Sequence, residues 1–149
     1  MEKKWRKFVK QIFATTILLS MLLLVSCGSD TGGGKPANDS PPDLTGEWKQ
    51  VNGDSEDSYQ SATISGGVIE VYWVSDGGDT KSLYWAGTYE APTNASEPYS
   101  WASENDHEKT DSALLASGDD QKTFTYENGQ ISYDVSAMGM TTTVRLEKQ

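Results

Sequence analysis

Apolar residues fall into two patterns along this chain. Residues 12–25 form one nearly continuous apolar run, diluted by Thr15, Thr16 and Ser20. Beyond residue 45, apolar and polar residues alternate in short bursts, the period of a strand with one face buried. The bursts predict strands over 46–51, 59–64, 68–74, 81–90, 99–103, 122–127, 130–136 and 140–148. In 68–74, Ile69, Val71 and Trp73 share one face, and Glu70 and Tyr72 the other. In 81–90, Leu83, Trp85, Gly87 and Tyr89 share a face, with Gly87 marking a bulge or bend. With the tryptophans inside, Tyr72 and Tyr84 fall outside, where ordinary cross-strand packing accounts for them; an exposed aromatic pair is the alternative.

Turn signals separate the bursts. Gly66-Gly67, Asp76-Gly77-Gly78-Asp79 and Asn128-Gly129 are hairpin loops, and both residues of the last tolerate positive φ. Ala137-Met138-Gly139 turns the chain once more. Segment 105–117 reads two ways. Asp106 can cap a short helix stopped by Gly118, or a loop can lead into a short strand over 113–117, the reading carried forward. Seven or eight short strands joined by tight turns give an all-β fold, a small antiparallel meander closing into a barrel.

Composition adds an address. Residues 1–10 carry Lys3, Lys4, Arg6, Lys7 and Lys10 against Glu2 alone. A basic segment followed by an apolar run too short to span a bilayer comfortably is the layout of a secretory signal peptide. The run ends in Leu24-Val25-Ser26-Cys27, with the only cysteine of the chain last. These four residues resemble a bacterial lipobox, in which Leu24, Val25 and Ser26 are recognised and the cysteine receives a diacylglycerol. The resemblance implies lipid attachment at Cys27 and a domain order of signal peptide 1–26, lipidated cysteine and tether 27–42, and barrel 43–149. It implies localisation at the cell membrane, on the extracytoplasmic face. The tether, rich in Gly, Ser, Asp and Pro, has no apolar period and should stay disordered. Its 15 residues reach roughly 50 Å when extended.

Charge narrows the partners. The chain holds 12 basic and 22 acidic residues; without residues 1–26 there remain seven and 21, a formal charge of −14. That balance, with no basic stripe, argues against nucleic acid. A lipidated Cys27 leaves no thiol for a disulfide, so the domain depends on its core, for which four tryptophans, seven tyrosines and Phe124 supply apolar area.

Leu44-Thr45-Gly46-Glu47-Trp48 opens the first strand. It resembles the Gly-x-Trp signature of lipocalin-like (calycin-type) barrels, and the domain resembles small lipoproteins of Gram-positive bacteria. The first resemblance implies that Trp48, with Gly46, closes the barrel base and that a basic residue near the C-terminus, here Arg145, packs across the indole. The second brings no activity with it.

Candidate chemistry is sparse. The single histidine, His107, sits among acids and reads as a solvated surface residue. One histidine and no usable thiol disfavour zinc. The acidic turns Asp54-Ser55-Glu56-Asp57 and 76–79 do not fit an EF-hand loop. Paired acids for glycoside hydrolysis cannot be picked out among so many carboxylates. The expectation is therefore a non-enzyme with no catalytic residue, no metal and no cofactor: a monomeric binding or protein-interaction module held at the envelope by its lipid, with the partner protein or ligand unknown. The alternatives are a lipocalin-like carrier or sensor of a small apolar ligand, and a lipoprotein that blocks another envelope protein. A barrel filled by its own side chains, with an exposed aromatic patch, favours the first, and a dry cavity favours the carrier.

Overall fold

The computed structural model describes residues 40–137 and 139–149. The predicted signal segment, Leu24, Val25, Ser26, Cys27 and the tether as far as residue 39 lie outside these residues.

Eight strands form: β1 (Gly46–Gln50), β2 (Tyr59–Ser65), β3 (Val68–Ser75), β4 (Thr80–Thr88), β5 (Tyr99–Glu104), β6 (Gln121–Glu127), β7 (Gln130–Ala137) and β8 (Met140–Lys148). They make one antiparallel sheet in the order β4-β3-β2-β1-β8-β7-β6-β5. Two four-strand meanders are thus joined where the first strand meets the last, Trp48 opposite Lys148. The expected all-β meander is what forms, and it curls into a nearly closed barrel.

Hairpin chemistry sets the registers. At Asn128-Gly129 both residues take positive φ, 53° and 82°, matching the twist of the flanking strands and pairing Glu127 with Gln130. Gly66-Gly67 does the same between β2 and β3. Inward positions then stack into one core: Trp48, Ala62, Ile64, Ile69, Val71, Trp85, Trp101, Phe124, Ile131, Tyr133, Val144 and Leu146. Trp101 lies against Phe124 at 5.3 Å and against Tyr99 at 5.9 Å, both nearly parallel. The barrel axis is occupied by large side chains.

Because the strands alternate in direction, the connections sort to two ends. The base holds the β2–β3, β4–β5 and β6–β7 loops and the entering segment, where buried Leu44 accepts a 2.9 Å hydrogen bond from the Trp48 indole on its carbonyl. The other end holds the loops 51–58, 76–79 and 105–120 and the turn between β7 and β8.

The β4–β5 seam completes the circle. One bridge pairs Gly87 with Asn105. Above it the chain after β5 takes the place of a strand: Asp106 N–H donates to the Ala86 carbonyl and Ser117 N–H to the Tyr84 carbonyl, both at 2.8 Å. This is why segment 105–117 is neither a helix running as far as Gly118 nor a strand at 113–117. Its backbone follows the edge of β4, with a single helical turn, α1 (His107–Thr110), after Asp106. The strand expected there is corrected to turns.

A second correction lies in β4. The β3–β4 register slips between Val71 and Tyr72. A bulge changes the phase of a strand, so every residue beyond it moves to the other face. Leu83 therefore pairs with outward Tyr72, and Tyr84 turns in beside Trp85. Tyr84 packs edge-on against Trp73 at 5.5 Å and stacks with Tyr133 at 6.4 Å. Tyr72 does face out, and its hydroxyl donates to Glu70 at 2.9 Å. The two tyrosines do not form an exposed pair.

Candidate functional site

The residues expected to close the base come together only in part. Trp48 is buried there, edge-on to Tyr126 at 6.3 Å. Gly46 adopts φ +116°, and a side chain on it would press on the Lys148 methylenes. Arg145 stands between inward Val144 and Leu146 and so projects from the outer face. The cation nearest the base is Lys148, opposite Trp48 in the register; its ammonium donates to the Asp43 carbonyl at 2.8 Å.

The opposite end differs in what it exposes. The large apolar residues that are exposed among the described ones are Val51, Trp73, Leu114, Leu115 and Met140. Val51 follows β1, Trp73 nears the end of β3, Leu114 and Leu115 lie in the β5–β6 connection and Met140 begins β8. By strand direction all five belong to the loop end. Leu114 is 98% exposed and Met140 71%. Apolar residues scattered singly over a surface need no explanation; these five fall at the same end of the barrel.

Beneath this rim the interior turns polar. Gln60, paired with Trp73, is fully buried; its side-chain oxygen accepts from the Tyr133 hydroxyl while its Nε2 has no acceptor. Lys122, its side chain only 6% exposed, reaches Asp119 Oδ2 at 2.9 Å and the Asp134 carbonyl at 3.3 Å, with its Nζ 5.4 Å from the Tyr84 and Trp85 rings. Burial pulls the ammonium's pKa down, but the Asp119 carboxylate and the Tyr84 phenol outweigh it, and the net shift is upward. Lys122 in turn holds the Asp119 carboxyl below its usual value, helped by Ser117. Burial, reinforced by Tyr84, lifts Tyr133 well above an ordinary phenol.

Lys122 also marks a gap in the wall. The β6–β7 pairing ends at Thr125 and Ser132. Beyond it lies an open cleft of about 420 Å³, lined by Gln121, Lys122 and Thr123 on one side and by Tyr133, Asp134 and Ser136 on the other. Nothing in the alternating pattern of β6 or β7 signals this parting.

His107 is committed elsewhere. Its Nδ1 lies 3.0 Å from Asp111 and its Nε2 3.2 Å from Asp120. Both nitrogens are taken by carboxylates, so the ring is not placed to activate a nucleophile. Asp111 first, then Asp120, raise its pKa. A raised folded-state value means the contribution is complete below about 6.5, the unfolded value, and is lost as pH rises through the folded one. We expect the His107 proton resonances to titrate with a midpoint above 6.5, and Asp111→Asn to lower it; a midpoint at or below 6.5 would show that neither pair holds in solution. Among the described residues no group of three or more His, Cys, Asp or Glu is arranged to hold a metal.

The fold is a small, eight-stranded antiparallel barrel, nearly closed, with a filled axis and its exposed large apolar residues at one end. No family model, curated protein or solved structure matches the chain.

Proposed function

We propose that the protein is a lipid-anchored, extracytoplasmic interaction module, acylated at Cys27 and without catalytic activity. The anchor rests on the basic segment, the apolar run and Leu24-Val25-Ser26-Cys27. One acyl chain binds a bilayer only marginally and two hold it stably, which is the use of a diacylglyceryl cysteine. The observation that carries the interaction reading is the barrel itself: its axis is filled by Trp48, Trp85, Trp101 and Phe124, while Leu114, Leu115 and Met140 face solvent at one end. A carrier buries most of its ligand in a concave apolar site. Here the apolar surface left over lies outside. The likeness to lipocalin-like barrels therefore extends to the Gly-x-Trp segment and the meander, not to cargo.

The test is metabolic labelling in a bacterial host with an alkyne-tagged palmitate, followed by fractionation and mass spectrometry of the intact protein. The expected result is a labelled membrane protein with no co-purifying apolar ligand, and at least a tenfold loss of label in Cys27→Ser. Equal labelling of the variant would remove the anchor from the reading. A stoichiometric apolar ligand would replace the interaction module with a carrier.

A further inference from the structure

We infer that the loop end of the barrel docks a cationic amphipathic polypeptide segment, its apolar face on the rim and its basic face against the surrounding acids. The inference rests on the interaction-module reading and names the partner's chemistry.

Three observations meet at this end. The first is the exposed apolar set of Val51, Trp73, Leu114, Leu115 and Met140. The second is charge. The loops 51–58, 76–79 and 105–120 carry ten acids: Asp54, Glu56, Asp57, Asp76, Asp79, Asp106, Glu108, Asp111, Asp119 and Asp120. Their one lysine, Lys109, is engaged by Glu70 at 2.7 Å. Lys122, just inside β6, is held by Asp119, and Lys81 stands at the start of β4. The base has less charge: its loops and entering segment offer Asp43, Glu90 and Glu97. The third is the buried Gln60 Nε2, a donor without an acceptor on the residue that pairs with Trp73 near this end of β2.

Exposed apolar residues among acidic loops offer a protein partner both apolar and charged contacts. The excess of acid selects the occupant. It repels a second copy of the same end and an anionic bilayer alike, and it attracts a basic partner from solution. A segment with apolar residues on one side and Lys or Arg on the other satisfies both parts. Asp43 and Leu44 meet the barrel at its base.

The experiment uses the full-length protein in neutral detergent and three fluorescent peptides of equal length: an amphipathic Lys/Leu helix, its Glu/Leu counterpart, and a Lys/Ser peptide of the same charge without an apolar face. Binding is read by anisotropy at low and high salt. The Lys/Leu helix should bind at least tenfold more tightly than either control and weaken as salt rises. The double variant Leu114→Ser/Leu115→Ser, which alters only exposed side chains, should lose at least tenfold, and Glu90→Gln at the base should lose nothing. Equal binding of the Lys/Leu and Glu/Leu helices, or binding indifferent to the double variant, would overturn the proposal. So would self-association abolished by the double variant, which would assign the rim to a second copy. Uptake of Cys27→Ser protein by phosphatidylcholine vesicles, abolished by the same double variant, would assign it to lipid. Palmitate labelling is scored on the same preparations. Lost peptide binding with labelling intact sinks the partner assignment alone; lost labelling sinks the anchor.

Discussion

Replacing Trp48 with alanine is expected to destabilise the domain by about 4 kcal/mol, the cost typical of truncating a buried tryptophan. Trp48 is 2% exposed, donates its indole N–H to the Leu44 carbonyl and meets Tyr126 edge-on. Alanine would leave a cavity under Leu44 and an unpaired carbonyl at the base. Domains of this size are stable by roughly 5–15 kcal/mol, so the loss is a large share of the total. It should lower the midpoint of thermal unfolding by roughly 15–30 °C. Arg145→Ala is the informative companion. Lipocalin-like closure would make it nearly as damaging, whereas a side chain on the outer face should cost under about 0.5 kcal/mol. Melting curves by near-ultraviolet circular dichroism separate the two. If Arg145→Ala falls as far as Trp48→Ala, the outward placement of Arg145 is wrong.

Gly87→Ala is the second large effect, expected to cost about 3 kcal/mol, at the upper end for overpacking a core. Gly87 sits where β4 meets the end of β5 in a single bridge. A methyl group there would overlap the Glu104 carbonyl oxygen and the Ser103 hydroxyl, and would crowd Trp85 Nε1. All three are fixed by hydrogen bonds or backbone: Trp85 Nε1 donates to Ser103 Oγ at 3.0 Å, and the Glu104 N–H donates to Thr88 Oγ1 at 2.9 Å. The seam must open to make room. Hydrogen exchange should then accelerate first at the amides of Asp106 and Ser117, which donate across this seam. A variant whose melting point and exchange match the parent would mean that the seam adds little to closure.

Much of the barrel can be read from the chain. Period-2 alternation is local, and so is the positive φ demanded by Asn128-Gly129; each strand, and the hairpin after β6, follows from a few neighbouring residues. Gly87 is also visible as an exception, read from the chain as a bulge or bend; the register slip falls at Tyr84 instead, and the glycine serves a close approach. Its partners at that approach, Ser103 and Glu104, are far along the chain and carry no local mark. Tyr84 shows the limit. The same alternation that places Trp85 inside places Tyr84 outside, and only the slip in β3–β4 pairing, a property of two strands together, brings both in. Segment 105–117 failed for a related reason: its conformation is dictated by the β4 edge it covers, not by its own residues.

The site was less legible. The sequence contains Leu114, Leu115, Met140, Val51 and Trp73 at scattered positions, and ten acids in three separate loops, with nothing to connect them. Gln60 and Lys122 read as ordinary polar residues of two strands. What the sequence alone determined was the class of fold, its hairpins, a strongly acidic surface and the expectation of a lipid anchor at Cys27, because each depends on local pattern or total composition. What the tertiary structure decided was which residues share an end, which side of the wall Arg145 and Tyr84 occupy, and that the apolar surplus lies at the loop end. Those depend on pairing between strands distant in the chain, and a one-residue change of register moves a side chain from solvent to core.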